Sequence, residues 1–101
     1  MTNEELLEEL KALANQLSLP LRFEAGDFEG GLCVVNDTRT LIVNKKATIQ
    51  KKISTIAAAL DECGLDAIFV KPAVREAIDD EIAKLRVEQQ RAAQQTAPAG
   101  S

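Results

Sequence analysis

The sequence predicts one small α+β domain, and three observations support this prediction. The chain has 101 residues, which is enough to bury one hydrophobic core. Its hydrophobic fraction of 46% and charged fraction of 28% are typical of a globular protein. Apolar residues recur at helical spacing in three segments, with short strand-like segments between the first two. We therefore expect an N-terminal helix, a small antiparallel sheet of three to four strands containing a central hairpin, and then two helices.

The first helix has a clear start, stripe and end. Thr2, with Glu5 three residues later, is the signature of a capping box. The stripe that faces the core consists of Leu6, Leu10, Leu13 and Leu17. We expect the helix to end at Ser18 because Pro20 follows, and the residue before a proline avoids helical dihedral angles.

The strands follow this helix. Residues 21–24 alternate apolar and charged side chains, the pattern of a half-buried strand. Residues 32–36 and 40–44 are predicted to pair as a hairpin across a three-residue loop, Asp37-Thr38-Arg39. Residues 65–70 are a candidate fourth strand. Both hairpin strands contain continuous apolar runs, which predicts that both faces of the sheet are covered, either by helices or by a second copy of the chain.

Two amphipathic helices complete the domain. Thr48 is a good N-cap for the second helix, which should end at Cys63 with Gly64 just beyond it. Pro72 suits the first turn of the last helix. We expect residues 1–87 to form the single domain, and residues 88–101 to form a polar helical extension and a disordered tail.

The composition argues against most kinds of catalysis. The chain contains no histidine and only two cysteines, Cys33 and Cys63. This removes the commonest general base and the usual zinc ligands, so we predict no catalytic, metal or cofactor site. Cys33 lies among apolar residues and is expected to be an inert core thiol. The alternative is a small thiol-dependent enzyme that uses Cys33 or the glycine pair Gly30-Gly31.

Basic residues concentrate in the middle of this acidic chain. Residues 39–75 hold seven basic and three acidic side chains, although the whole chain has a net charge of −4. Lysines near the start of the second helix oppose its dipole, which is a feature of an anion-binding site. The alternative is a solvated cluster that protects an edge strand. The candidate anion- or partner-binding residues are Arg39, Lys45, Lys46, Lys51, Lys52, Lys71 and Arg75.

Gly30 and Gly31 are a candidate close-approach turn. Adjacent glycines before a strand mark a position where another group comes close to the backbone. A phosphate-binding loop would require a helix directly after the glycines, and here a strand follows.

The predicted function is therefore binding. We expect a non-enzymatic interaction domain that forms a homodimer and binds an anionic protein segment or a phosphate-bearing ligand. Duplex nucleic acid is not expected because the chain is acidic overall. An acidic N-terminus without an apolar span predicts a cytoplasmic protein that does not enter a membrane. The alternative is a structural subunit or scaffold that docks through its terminal helices.

The hairpin segment Leu41–Asn44 and the helix segment Thr55–Ala57 carry a family resemblance. Together with the order of the elements over residues 21–62, they resemble the ImmA/IrrE-type zinc metallopeptidases, whose corresponding helix carries an HExxH motif. Ala58, Ala59 and Glu62 stand where that motif would have its first His, its Glu and its second His. The resemblance therefore implies a reduced scaffold without the metal. The chain is also similar to small uncharacterised bacterial proteins with a GGLC…NK…PxxRE layout.

Overall fold

The computed structural model describes residues 1–96, with side chains described as far as Gln90. Its elements are α1 (Asn3–Gln16), β1 (Leu21–Glu24), β2 (Gly31–Val35), β3 (Thr38–Asn44), α2 (Ile49–Cys63) and α3 (Pro72–Thr96). The predicted α+β class is confirmed, as are the N-terminal helix, the small sheet with its hairpin and the two following helices.

The three strands form a mixed sheet in the order β1-β3-β2. β2 is antiparallel to β3, whereas β1 is parallel to it, so the prediction of an all-antiparallel sheet is wrong for this pair. Because β1 and β2 flank β3, the connection between them must pass the end of β3. Asn44 holds this connection there, since its Nδ2 donates to the carbonyls of Gly26 and Phe28 at 2.8 Å each.

The hairpin is tighter than the sequence predicts. Val35 pairs with Thr38, so the loop contains only Asn36 and Asp37 rather than residues 37–39. Both loop residues have positive φ, 51° and 65°, as a type I′ turn requires. Asn and Asp tolerate this left-handed conformation better than most residues, and the turn matches the natural twist of the strands.

The helices cover one face of the sheet. Leu41 and Val43 of β3 point toward them and are 0% and 1% exposed. Side chains alternate along a strand, so Ile42 points to the opposite face with its registered neighbour Arg22. Cys33, paired with Thr40, shares that opposite face and is exposed. Helices of the described residues therefore lie on one face only, so coverage of the other face by a second copy of the chain stays a prediction.

Capping side chains and apolar stripes place the helices as predicted. The hydroxyl oxygen of Thr2 accepts a hydrogen bond of 3.1 Å from the amide of Glu5, the third residue of α1. In the same way, the hydroxyl oxygen of Thr48 accepts a hydrogen bond of 3.2 Å from the amide of Lys51 in α2. α1 packs on β1 and α2, α2 packs on β3 and β2, and α3 packs on α2. The largest fully buried side chains are Leu10, Leu41, Val43, Ile53, Ile56, Leu60, Val74 and Ile78.

Residues 65–70 form turns, so the predicted fourth strand is wrong. Leu65 is buried and anchors the segment in the core, whereas Phe69 is 77% exposed. A hydrogen bond of 3.3 Å from the amide of Ile68 to the carbonyl of Leu65 closes a turn. With both ends of the segment tied to helices, these residues do not reach an edge of the sheet.

α3 is one continuous helix through the predicted domain boundary at residue 87. The boundary itself stays a prediction. Residues 97–101, part of the segment predicted to be disordered, lie outside the described residues. Within the part of the chain that the structure describes, no helix combines the length and the apolar character that crossing a membrane requires.

Candidate functional site

A cleft of about 230 Å³ lies between the start of β2, one side of α2 and the C-terminal half of α3. Small residues of α2, including Ala58 and Ala59, leave the space in which the cleft forms. Its charged lining residues are Lys51 and Glu62. They lie eleven residues apart on α2, which is about three helical turns. The remaining lining residues are Gly30, Gly31, Leu32, Ser54, Thr55, Leu85 and Gln89.

The two glycines at this cleft differ in their surroundings. A Cβ at Gly30 would meet the backbone carbonyl oxygen of Ile42 and come within 3.2 Å of Thr55 Cγ2. Gly30 is therefore a close-approach position, but the approaching groups belong to β3 and α2 of the same chain. A Cβ at Gly31 would meet nothing within 4 Å. The glycine pair thus allows β2 to pack under α2 and leaves open space beside Gly31.

Four of the predicted cationic residues lie around the start of α2: Lys45, Lys46, Lys51 and Lys52. We call these four residues the lysine cluster. The helix has no acidic residue in its first turn. Thr48 satisfies the amide of Lys51, and its carbonyl accepts the amide of Lys52 at 3.0 Å. The amides of Ile49 and Gln50 precede the first intrahelical bond, so they are oriented toward solvent or a ligand.

Two acidic side chains border the lysine cluster. Glu29 Oε1 lies 4.0 Å from Lys51 Nζ. Asp27 and Glu29 also line a shallow depression with Lys46. Both acids are on the loop that Asn44 holds against the end of β3. The cluster therefore keeps an excess of two positive charges over its acidic neighbours.

The structure separates the other three predicted cations from this cluster. Arg39 is near the hairpin turn, at the opposite end of β3 from Lys45. Lys71 Nζ contacts Glu9 Oε1 at 2.9 Å, which ties the start of α3 to α1. Arg75 Nε lies 3.8 Å from Asp79 Oδ1 on its own helix. Lys71 and Arg75 thus have acidic partners elsewhere on the surface.

The two cysteines lie in different surroundings. Cys33 is exposed on the open face of the sheet, so the prediction of a buried core thiol is wrong. Cys63 is half-buried at the end of α2, and both thiols are free. Among residues 1–96 there is no group of three Cys, Asp or Glu side chains placed to hold a metal ion.

Sequence reasoning missed the outer edge of β2 as a candidate surface. β2 is an edge strand, and residues 31–35 include no charged side chain and no proline. Val34 in this strand is 70% exposed. The missing charges were the available signal, because edge strands are normally protected by charge, proline or a bulge.

Comparison with known proteins finds no matching family model, curated protein or solved structure. The class of protein is described by the fold and the site alone: a small α+β domain with a lysine cluster and an unprotected strand edge. Ala58, Ala59 and Glu62, the positions of the absent HExxH motif, all line the cleft. The resemblance to metallopeptidases stays a prediction.

Proposed function

We propose that this chain is a non-enzymatic binding domain that binds an acidic protein segment at the lysine cluster. The observation that supports this most is the concentration of four lysines around a helix start that holds no acidic residue. Each of these charges opposes the dipole of α2, by about 0.3–1 kcal/mol at low ionic strength. A bound carboxylate would reverse this penalty, because it interacts favourably with both the lysines and the free helix amides.

An extended acidic segment suits this surface better than a small phosphate ligand. The depression beside Lys46 is shallow and open, and its other charged lining residues, Asp27 and Glu29, repel anions. A phosphate group binds best where several donors converge on one point. An acidic segment can instead place successive carboxylates near separate lysines while avoiding Asp27 and Glu29.

Binding of a fluorescein-labelled poly-glutamate peptide, followed by anisotropy at increasing salt, tests the proposal. We expect saturable binding that weakens as salt screens the charges. In Lys51→Glu/Lys52→Glu we expect affinity to fall at least about tenfold, which corresponds to 1.4 kcal/mol. Equal, salt-insensitive binding by both proteins would refute the proposal.

Lys71→Glu/Arg75→Glu is the matched control, because it changes the net charge of the chain by the same amount. These two cations already contact Glu9 and Asp79. We expect the control to retain most of the peptide affinity, after circular dichroism has verified its fold. An equal loss in both variants would mean that net charge, rather than the lysine cluster, determines binding. Displacement of the peptide by low concentrations of inorganic pyrophosphate would favour a phosphate ligand instead.

A further inference from the structure

The two edges of the sheet are protected very differently. β1 carries Arg22 and Glu24, which form an ion pair of 2.9 Å along its edge. β2 presents Gly31-Leu32-Cys33-Val34-Val35, which includes no charge and no proline, and no strand of the described residues pairs with its outer side. An uncharged edge is a template for pairing with another strand. Of the two edges of the sheet, β2 is therefore the one open to pairing.

The hydrogen-bonding direction of each β2 residue follows from the β1–β3 pairing. The amide of Leu41 donates to the carbonyl of Pro20 at 2.8 Å, and that of Lys45 donates to Glu24 at 2.9 Å. Odd-numbered residues of β3 therefore bond to β1, and even-numbered residues such as Thr40 bond to β2. Because Thr40 pairs with Cys33, residues 31, 33 and 35 bond inward. Leu32 and Val34 consequently direct their N–H and C=O groups outward.

We propose that two copies of the chain pair through β2, antiparallel, on a two-fold axis at Cys33. This register places Leu32 opposite Val34 of the second copy, and the reverse, so every outward N–H and C=O of these residues forms a hydrogen bond. Four hydrogen bonds then join two three-stranded sheets into one sheet of six. A register centred on Leu32 or on Val34 would instead pair one of these two residues with Gly30 or Asn36, which lie outside β2.

The proposed register also brings apolar side chains of the two copies together on the helix-covered face of the sheet. Val34 of the second copy extends the row of Leu32, at the mouth of the cleft.

The strand that pairs with the outer edge of β2 belongs to a second copy of the chain, because this edge is complementary to itself. The outward groups of Leu32 and Val34 are symmetric about Cys33, and residues 31–35 carry no charge, so pairing two copies of this strand brings no like charges together. Val34, 70% exposed in the single chain, becomes covered. This inference does not depend on the lysine cluster binding a partner.

Cross-linking at Cys33 tests the axis. The two Cys33 residues would form a non-hydrogen-bonded pair with Cα atoms about 4.5 Å apart, within the range of about 4.4–6.8 Å that a disulfide spans. Diamide, which accepts the two thiol hydrogens, should convert Cys63→Ser rapidly to a covalent dimer on a non-reducing gel. Cys33→Ser should form far less dimer. A yield for Cys63→Ser no higher than that of the same protein unfolded in urea would overturn the proposed axis.

Sedimentation equilibrium of the reduced chain tests the edge itself. Val34→Lys places a charge at the pairing edge, and Val34→Pro removes only an amide that points away from β3. We expect both to weaken self-association at least about tenfold while circular dichroism stays native. Val87→Lys, an exposed valine on α3, is the matched control and should dimerise normally. A monomeric wild type, or a dimer unaffected by both Val34 variants, would overturn the proposal.

Discussion

Ser54 on α2 donates a hydrogen bond of 2.7 Å to the carboxylate of Glu81 on α3. The Glu81 side chain is only 17% exposed, and Lys84 Nζ lies 3.3 Å from its other oxygen. This polar contact holds α3 over α2 at the point where α3 continues to Leu85 and Gln89 along the cleft. The cleft therefore depends on one interhelical hydrogen bond as well as on the apolar core.

Ser54→Ala should lower the free energy of unfolding by about 1–2 kcal/mol, because Glu81 loses a donor while it remains largely buried. Urea denaturation followed by circular dichroism measures this. A double-mutant cycle with Glu81→Ala should give a coupling energy of about 1 kcal/mol. Thr55→Val is the control, since the Thr55 hydroxyl donates to the carbonyl of Lys51 within its own helix. A coupling energy near zero would contradict this account.

Gly30→Ala should lower the free energy of unfolding by about 1–3 kcal/mol, as expected for overpacking against atoms that cannot move freely. The added Cβ would meet the carbonyl of Ile42 in the central strand. At Gly26 the nearest atom is instead Phe28 Cδ1, 2.9 Å away on a side chain that is partly exposed. Gly26→Ala should therefore cost less than Gly30→Ala in urea denaturation. The reverse order would show that the approach of β3 to Gly30 is not limiting.

Asn44→Asp should lower the free energy of unfolding by about 2–4 kcal/mol, because two hydrogen bonds are lost and a carboxylate then faces two carbonyls. The hydrogen bond of 3.0 Å that Oδ1 of residue 44 accepts from the amide of Lys46 is retained. Thermal and urea unfolding both report the change.

Asn15→Asp is the control for this substitution, because Asn15 is exposed on α1. It makes the same chemical change without a paired carbonyl acceptor, so we expect a change below about 1 kcal/mol. Comparable losses for the two variants would mean that the added charge, rather than the loop contact, accounts for the effect at Asn44.

The helices were predictable from sequence because their signals are local. Thr48 and Gly64 mark the ends of α2 through their own side chain and backbone, and both positions were assigned correctly. The direction of β1 was not predictable in this way. Its parallel pairing with β3 depends on a connection that passes the end of β3 and on Asn44, which is distant in sequence. No local pattern near residues 21–24 records that contact.

The register of the hairpin determines which face of the sheet Cys33 occupies, and its apolar neighbours do not reveal that register. A loop of residues 37–39 would pair Asn36 with Thr40 and place Cys33 opposite Val43, on the helix-covered face. The observed pairing of Cys33 with Thr40 differs by three residues, an odd number, so every β2 side chain changes face. Continuous apolar residues in β2 fit both registers. The turn residues decide between them, and Asn36 with Asp37 favours the shorter loop.

The candidate site was predictable only in part. The four lysines around α2 lie close in sequence, so charge counting found them. Lys71 and Arg75 were grouped with them, although in the fold Lys71 forms an ion pair with Glu9 and Arg75 with Asp79. The partner of Lys71 is 62 residues away, and a charge count along the chain does not contain that information.

Asp37→Gly should raise the free energy of unfolding by about 1 kcal/mol, because Asp37 has φ of 65° and only glycine adopts this region without a steric cost. Asn-Gly is also the preferred type I′ pair. Asp37→Val should instead lower it by about 1–2 kcal/mol, since a β-branched residue is strained there. Asp66→Gly, in an exposed loop outside the positive-φ positions, is the control and should give no gain. If Asp37→Gly were no more stable than Asp66→Gly in urea, the left-handed conformation at residue 37 would not be limiting stability.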